Sequence, residues 1–217
     1  MKIIGLGHYS RTGKDTFANA AVAWFAANSK LRAKKIPFAW KLKQICHDLY
    51  AWDGMREPEF YDTLDGEKFR DIPLPTIGKT PVEIWVAMGT PAVRQNVYER
   101  TWIDFLLKSD HQCDILVVPD VRFPNEVSAI RELGGTVQKI VRPGYGPRNT
   151  VADKALLGYR DWDYIWGAHG DIDKLRVEAY CIAAAVSGLH DWPVQTIEQK
   201  AYALSVEKLS DIGRVAA

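Results

Sequence analysis

The sequence predicts a three-layer α/β fold in which a central parallel sheet is flanked by helices. One observation is the alternation of short apolar runs with amphipathic helical segments, as in βαβ units. A second is the opening stretch KIIGLGHYSRTGKDT, an apolar strand that turns through small and polar residues into a helix. Such a turn directs backbone N–H groups and the positive end of a helix at one point, where a phosphate can bind.

The turn matches the phosphate-binding pattern G-x-x-x-x-G-K-[ST] imperfectly. His8 stands where the pattern has its first glycine, and Asp15 stands where it has a hydroxyl residue. Lys14 can still reach a β- or γ-phosphate, although a glycine-containing turn that binds nothing is the alternative. We expect the phosphates of a nucleotide to bind to one continuous run, formed by Ser10, Arg11, Thr12, Gly13, Lys14, Asp15 and Thr16, with Mg²⁺ held by Asp15 or Thr16.

Length and composition limit the possible classes of protein. The chain has 217 residues, enough for one large domain, and its formal net charge of +1 argues against coating nucleic acid or a membrane surface. The three cysteines are far apart in sequence and predict free thiols in a reducing compartment. No apolar run approaches the roughly 18 residues that span a bilayer, so we expect a cytoplasmic location.

The elements follow the alternation of the predicted fold. The clearest buried strand is the apolar run at 114–120, which suits the middle of a parallel sheet. Pro37 predicts a strand end or an edge strand at 33–40. Further strands are expected at the N-terminus, at 136–141 and at 164–166. Helices are expected at 14–29, 40–50, 81–89, 90–108, 124–133, 152–157, 172–186 and 195–209. Thr80-Pro81 and Thr90-Pro91 are the signals for two of the helix starts.

Composition shifts suggest how this single domain, 1–217, is organised. Charged residues, prolines and glycines accumulate after Asp53, which indicates an inserted region of about 53–110. A loop rich in glycine and proline at 143–160 is expected to form a lid, and 190–217 a helical extension.

The carboxyl ends of the predicted strands should meet at one edge of the sheet, where ligands bind in such folds. Asp120 ends the buried strand and can orient the water shell of Mg²⁺ or accept a hydrogen bond from a substrate. Arg122 can bind a phosphate with both amino groups. Asn125 and Glu126 stand in the first turn of the next helix, where helix capping is the alternative to substrate binding.

Other polar residues carry weaker signals. Lys68, Lys79, Arg94 and Arg100 lie in or near the inserted region and are either surface charges or acceptor-site cations. The histidines and cysteines show no metal-ligand spacing, and no sequence motif of a catalytic serine or cysteine occurs.

Four stretches resemble the deoxynucleoside monophosphate kinases of bacteriophages, which are members of the P-loop kinase superfamily. They are GHYSRTGKDT, FAWKLKQIC, GTPAVR with a following Trp102, and PDVRFPNEVSAIRELGG. The GKDT variant is typical of that family, and DVRFPNE is its most specific signature. The resemblance extends from residue 1 to about 175 and departs at 149–156, where Asp153 is the candidate substitute for a Ser-Glu pair.

This resemblance implies a P-loop kinase fold with an inserted helical substrate-binding region and a lid. It implies transfer of the γ-phosphoryl group of ATP to a deoxynucleoside monophosphate, with Mg²⁺, in the host cytoplasm if the chain is of phage origin. A purine such as dGMP is favoured, and a homodimer is expected. The implied catalytic residues are Lys14, Arg122 and the lid arginine Arg148, and the implied metal ligands are Asp15, Thr16 and Asp120. The implied substrate-binding residues are Phe38, Lys43, Lys68, Arg94, Trp102, Asp120, Arg122, Asn125, Glu126 and Asp153. Trp162 is a further candidate beside the base.

Two other functions remain open from the sequence. One is another small-molecule kinase of this superfamily, with a nucleoside or dephospho-coenzyme A as acceptor. The other is a nucleotide-binding regulatory protein that hydrolyses its nucleotide slowly and has no small-molecule acceptor.

Overall fold

A computed structural model describes residues 1–7, 9–147, 151–167 and 171–191 of the chain. Its described strands form one all-parallel sheet of five strands in the order β2-β3-β1-β4-β5, which confirms the predicted fold class. The strands are β1 (Lys2–Gly7), β2 (Ala33–Lys35), β3 (Ile115–Val121), β4 (Thr136–Val141) and β5 (Tyr164–Gly167). The α-helices are α1 (Lys14–Asn28), α2 (Trp40–Tyr50), α3 (Pro81–Ala87), α4 (Thr101–Lys108), α5 (Pro124–Glu132), α6 (Val151–Lys154) and α7 (Ile172–Ser187).

The chain divides into two compact units. The first comprises Met1–Pro37 and Asp110–Ala217 and contains the sheet, and the second comprises Phe38–Ser109. The predicted inserted region of 53–110 remains a prediction, and the second unit begins earlier, with α2.

The order of the strands follows from their sequences. The apolar run of β3 lies between β2 and β1, buried along almost its whole length. β2 is an edge strand of three residues, paired with β3 in the register Ala33↔Ile115 to Lys35↔Val117. Its short length fits Pro37, which has no N–H to donate to a neighbouring strand.

Helices cover both faces of the sheet. Ile4 and Leu6 of β1 pack in a core with α1 and α7, whose alanines allow close approach. Successive residues of a strand point to opposite faces, so Gly5 and Gly7 face the other side. There α5 packs on β1 and β4, with Ile130 directly over Gly5. The first unit therefore has three layers.

The second unit is mainly helical. Its α2, α3 and α4 surround a core that includes Leu42, Tyr61, Ile84 and Trp102. Three short 3-10 helices, Ala51–Asp53, Pro58–Asp62 and Glu67–Asp71, occupy the segment that the sequence predicted to be irregular. The predicted start of α3 is confirmed: the Thr80 hydroxyl accepts a hydrogen bond from the Glu83 N–H at 3.2 Å, and the Glu83 carboxylate accepts one from the Thr80 N–H at 2.8 Å.

The segment after α3 differs from the sequence prediction. A helix ending at Gly89 and a second one over 90–108 were expected, but α3 continues into a π-helix, Met88–Gln95, with Pro91 inside it. The chain then leaves the helix and α4 begins at Thr101. A proline inside an α-helix removes one hydrogen bond and clashes with the preceding turn. Within this segment the Gly89 carbonyl accepts a hydrogen bond from the Trp102 indole at 3.0 Å.

Two further predictions concern the chain as a whole. The three cysteines are free thiols, as predicted. None of the helices in the described part of the chain combines the length and the apolarity needed to cross a lipid bilayer. The helix predicted at 195–209 lies outside the described residues.

Candidate active site

The loop between β1 and α1 is built around left-handed backbone conformations. Arg11 has a φ of 61° and Gly13 a φ of 103°, and glycine adopts the latter without a steric penalty. Thr12 is buried and its hydroxyl donates to the Tyr9 carbonyl at 3.2 Å. Backbone turns that include left-handed residues at a helix N-terminus form concave sites for anions.

Lys14 is the first residue of α1 and is buried within this loop. Its Nζ donates a hydrogen bond to the Tyr9 carbonyl. The pKa of Lys14 is lowered from its usual 10.5 to about 7, chiefly by burial and then by the positive charge of Arg122, while the carboxylates of Asp15, Asp120 and Asp153 oppose the shift. The loop therefore holds a lysine that ionises near neutral pH and that a phosphate group could attract.

The turn between β3 and α5 brings an arginine to the loop. One amino group of Arg122 pairs with Asp153, which is 3% exposed, and the other donates to the Ser10 hydroxyl at 3.0 Å. Glu126 is also buried, and its carboxylate accepts hydrogen bonds from the backbone N–H groups of Arg122 at 2.7 Å and Phe123 at 3.1 Å. Glu126 thus holds the turn that presents Arg122, which is close to the capping role that the sequence left open.

The loop after β4 reaches the same place. Arg142 donates to the Arg11 carbonyl at 3.3 Å, and its guanidinium lies 4.4 Å from the centroid of the Tyr145 ring. The loops after β1, β3 and β4 therefore meet at the carboxyl edge of the sheet, as the parallel topology predicts. Arg142 was not among the predicted site residues, since the sequence shows only an arginine in a loop.

The candidate magnesium ligands offer oxygen atoms but do not form a complete coordination shell. The Asp15 side chain is 74% exposed and lies 3.3 Å from the Lys35 ammonium, while Thr16 and Asp120 are half-buried. In the four described ranges, no group of three or more His, Cys, Asp or Glu side chains could hold a metal ion. This donor set fits Mg²⁺, which usually takes one or two carboxylates and completes its shell with phosphates and water.

The second unit contains its own set of predicted site residues. The Lys43 ammonium lies 5.0 Å from the centroid of the Trp85 ring and 3.7 Å from the Asp62 carboxylate, which also pairs with Arg70 at 2.9 Å. The indole N–H of Trp85 is buried and has no hydrogen-bond partner among the described residues. The sequence did not single out Trp85, because one tryptophan in an aromatic-rich chain carries no signal of its own.

The remaining predicted residues have different surroundings. Phe38, Arg94 and Trp102 are buried in the second unit, and Lys68 is exposed beside the Phe69 ring. In the first unit, Asn125 is half-buried at the start of α5. Arg148, the predicted lid arginine, lies outside the described residues, as does His8.

Next to the phosphate loop, Trp162 contacts Gly7 of β1, whereas the sequence analysis had named it only as a candidate beside the base. Trp162 packs so closely on Gly7 that a Cβ at this position would lie 2.5 Å from the indole ring. This contact explains why a glycine is needed at residue 7. Lys139 lies opposite Gly7 in the parallel register of β1 and β4 and is 2% exposed. In the sequence it is one of three polar residues in a strand.

Comparison with known proteins gives two viral relatives. No family model matches the chain. It is 30% identical over 181 residues to a protein of Acanthamoeba polyphaga mimivirus that is provisionally named a deoxynucleotide monophosphate kinase; the match covers 76% of the chain and 87% of that protein. It is 33% identical over 94 residues to the deoxynucleotide monophosphate kinase of Enterobacteria phage T4, covering 41% of the chain and 39% of the phage protein.

Proposed function

Because the chain belongs to the deoxynucleotide monophosphate kinase family, we propose that it transfers the γ-phosphoryl group of ATP to a deoxynucleoside monophosphate. An oxygen of the acceptor phosphate attacks the γ-phosphorus, the bond between this phosphorus and the β–γ bridging oxygen breaks, and ADP leaves with that oxygen. The products are ADP and a deoxynucleoside diphosphate, with a purine acceptor such as dGMP favoured. The observation that carries the proposal is the hydrogen bond that joins Arg122 to Ser10 in the loop of Lys14.

The donor site is proposed at the phosphate loop. The backbone of Ser10 to Gly13 would surround the donor phosphates at the positive end of α1. Lys14 would exchange the Tyr9 carbonyl for a β- or γ-phosphate oxygen, whose negative charge opposes the lowering of its pKa by burial. Phosphoryl transfer needs alignment and charge neutralisation more than covalent help, and both come from this loop.

Arg122 is proposed to neutralise charge on the transferring group. Its contact with Ser10 places a guanidinium beside the donor loop, and Asp153 and Glu126 orient it through its side chain and its backbone. A planar guanidinium binds two phosphate oxygens at once, which suits a group held between donor and acceptor. Arg148 remains the proposed lid arginine.

The acceptor site is proposed to draw on the second unit. Lys43 and Arg94 supply positive charge for the acceptor phosphate, and Phe38 and Trp102 would bound the base. Lys68, Asp120 and Asn125 remain proposed substrate-binding residues. The support is the placement of Lys43 between Trp85 and Asp62, an arrangement in which an anionic ligand could replace the carboxylate.

Mg²⁺ is proposed as the metal, and Asp15, Thr16 and Asp120 would hold it. The ion would neutralise charge on the β- and γ-phosphates of ATP. We also propose that the reaction takes place in the cytoplasm, that of the host if the chain is viral, and that the protein is a homodimer without a nucleic-acid partner. The free cysteines and the balanced charge support this setting.

The test is an ADP-release assay with ATP, Mg²⁺ and each deoxy- and ribonucleoside monophosphate in turn. We expect release that depends on a deoxynucleoside monophosphate, fastest with a purine, and its loss in Lys14→Ala with the fold retained. Release with nucleosides or dephospho-coenzyme A alone would contradict the proposed acceptor. Release that no added acceptor changes would indicate a nucleotide hydrolase instead.

A further inference from the structure

A buried lysine in the middle of the sheet calls for a physical reason. Lys139 is 2% exposed on β4, and its strand neighbours on the same face, Val137 and Val141, are buried apolar residues. Removing an ammonium group from water is costly unless other groups replace the water. An aliphatic residue would fill this position without that cost, so the charge itself needs an explanation.

Aromatic rings replace part of the lost water. The Lys139 Nζ lies 5.5 Å from the centroid of the Tyr9 ring and 5.8 Å from that of Trp162, both within the range of cation–π attraction. Trp162 is itself fixed, since it packs on Gly7, lies edge to face with Tyr159 and donates its indole N–H to the Tyr159 carbonyl at 3.0 Å. The Lys139 ammonium thus lies near two aromatic rings, and the Trp162 ring is fixed by its own contacts.

Tyr9 connects this cation to the phosphate loop. The ring of Tyr9 is 1% exposed, and its backbone carbonyl accepts the hydrogen bonds of Thr12 and Lys14. When Lys14 turns toward a donor phosphate, Tyr9 loses one of these two contacts. The side chain of Tyr9 then becomes more important for holding the start of the loop.

We propose that Lys139 is a positioning residue for the donor phosphates. It attracts the rings of Tyr9 and Trp162 and so keeps the start of the phosphate loop in place while Lys14 binds the nucleotide. This inference depends on one part of the proposed function, namely that the donor nucleotide binds at the phosphate loop. Lys139 itself does not touch the nucleotide.

The test compares Lys139→Met with Lys2→Met. Both substitutions remove one lysine ammonium. Lys2, however, is the first residue of β1, at the end of the strand away from the phosphate loop, and donates to the Val186 carbonyl at 2.7 Å. ADP binding is measured by calorimetry, and the KM for ATP and for the acceptor by the ADP-release assay. We expect Lys139→Met to weaken ADP binding and raise the KM for ATP by about five- to thirtyfold, with the acceptor KM unchanged. Lys2→Met should leave all three values within about twofold, as expected for an uncoupled surface site.

Conservative variants separate positioning from packing. Lys139→Arg should retain most of the ADP affinity, since a guanidinium also stacks on aromatic rings. Trp162→Phe and Trp162→Leu both leave an apolar side chain, but only Phe keeps an aromatic face, so the Leu variant should bind ADP more weakly than the Phe variant. This pair also tests the inference if Lys139→Met does not fold.

Equal ADP affinity in the wild type and a folded Lys139→Met variant of lower Tm would overturn the inference, because Lys139 would then only stabilise the fold. Equal affinities of the Trp162→Phe and Trp162→Leu variants would also overturn it. A wild-type protein that binds ADP but phosphorylates no monophosphate would refute the proposed function instead. The comparison of ADP affinities would still decide the role of Lys139.

Discussion

Arg122 donates a hydrogen bond to the Ser10 hydroxyl at 3.0 Å, which ties the turn after β3 to the phosphate loop. The other amino group of the same guanidinium pairs with the buried Asp153. Contacts with the protein's own side chains therefore orient this arginine. A preoriented cation costs little reorganisation when charge develops on the transferring group.

Arg122→Lys is expected to lower kcat by about 10²- to 10³-fold, with a smaller effect on the KM for ATP. A lysine keeps the charge but cannot pair with Asp153 and Ser10 in the same planar geometry. Steady-state kinetics with the best monophosphate acceptor measures the change.

The matched control is Arg131→Lys on α5. Arg131 also pairs with carboxylates, those of Asp161 and Asp163, but it makes no described contact with the loop. Its substitution should lower Tm and leave kcat within about twofold. Similar losses of kcat in the two variants would contradict the role proposed for Arg122.

Nucleotide binding is expected to take up a proton above neutral pH. Burial lowers the pKa of Lys14 to about 7, so the free protein holds this lysine mostly neutral at pH 8. A bound phosphate favours the ammonium and raises the pKa again. Calorimetry of ADP binding in two buffers of different ionisation enthalpy should show uptake of about half a proton at pH 7 and nearly one at pH 8.

The same pKa predicts how the free protein responds to pH. The unfolded chain binds more protons than the folded one between pH 7 and 10.5, the pKa values of Lys14 in the two states. This group therefore makes the free energy of unfolding rise with pH across that window, and it has no effect on the slope below pH 7. Equal heats of ADP binding in the two buffers at pH 8 would show that Lys14 is already charged in the free protein.

Gly7→Ala is expected to destabilise the fold by about 1–3 kcal/mol through overpacking. The new methyl group would lie 2.5 Å from the Trp162 ring, and a ring that packs on the sheet cannot rotate away at low cost. Chemical denaturation measures the free energy of unfolding.

Gly5→Ala provides the comparison on the same strand. Its methyl group would lie 2.7 Å from the Cδ1 of Ile130, the end of a flexible side chain that can change rotamer. We expect a smaller loss of stability than for Gly7→Ala. The reverse order would mean that Trp162 does not restrict residue 7.

Glu178→Gln is expected to stabilise the protein above neutral pH. The Oε2 atom of Glu178 is buried and has no hydrogen-bond partner within the described part of the chain, and burial raises its pKa from 4.5 to about 7. The folded protein therefore binds more protons than the unfolded chain between these values, and stability falls as the pH rises through them. The neutral glutamine avoids this loss, and Tm at pH 8 should rise by about 2–4 °C.

Thermal melts at pH 4 and pH 8 check this expectation. The gain should disappear at pH 4, where Glu178 is protonated in both states. The exposed Glu132 at the end of α5 serves as the control, and Glu132→Gln should not produce a pH-dependent change in Tm. A gain for Glu178→Gln that is the same at both pH values would exclude burial of a charge as its cause.

The sequence predicted the sheet well because its strands have local signals. The apolar run of β3 and the lysine at the start of α1 each identify an element and its position in a parallel fold. The meeting of the loops after β1, β3 and β4 also followed, since parallel topology alone brings these ends to one edge.

Other features depend on contacts that no local pattern encodes. The pairing of Arg122 with Asp153 joins residues 31 positions apart. The burial of Lys139 depends on Tyr9 and Trp162, which lie in other parts of the chain. The π-helix was missed for a different reason: Thr90-Pro91 is a valid helix-start signal, and no local pattern indicates that the helix before it continues through Pro91.

The edge pairing of β2 with β3 determines how the chain can accommodate changes in length between these strands. The chain leaves the sheet after Lys35 and returns at Ile115, and the two strands are hydrogen-bonded neighbours. The segment between the two strands therefore begins and ends at neighbouring strands that are hydrogen-bonded to each other. Doubling the length of such an excursion costs only about 0.6 kcal/mol of closure entropy. Changes in the length of this contiguous segment are therefore expected to leave in place the strands that support the phosphate loop.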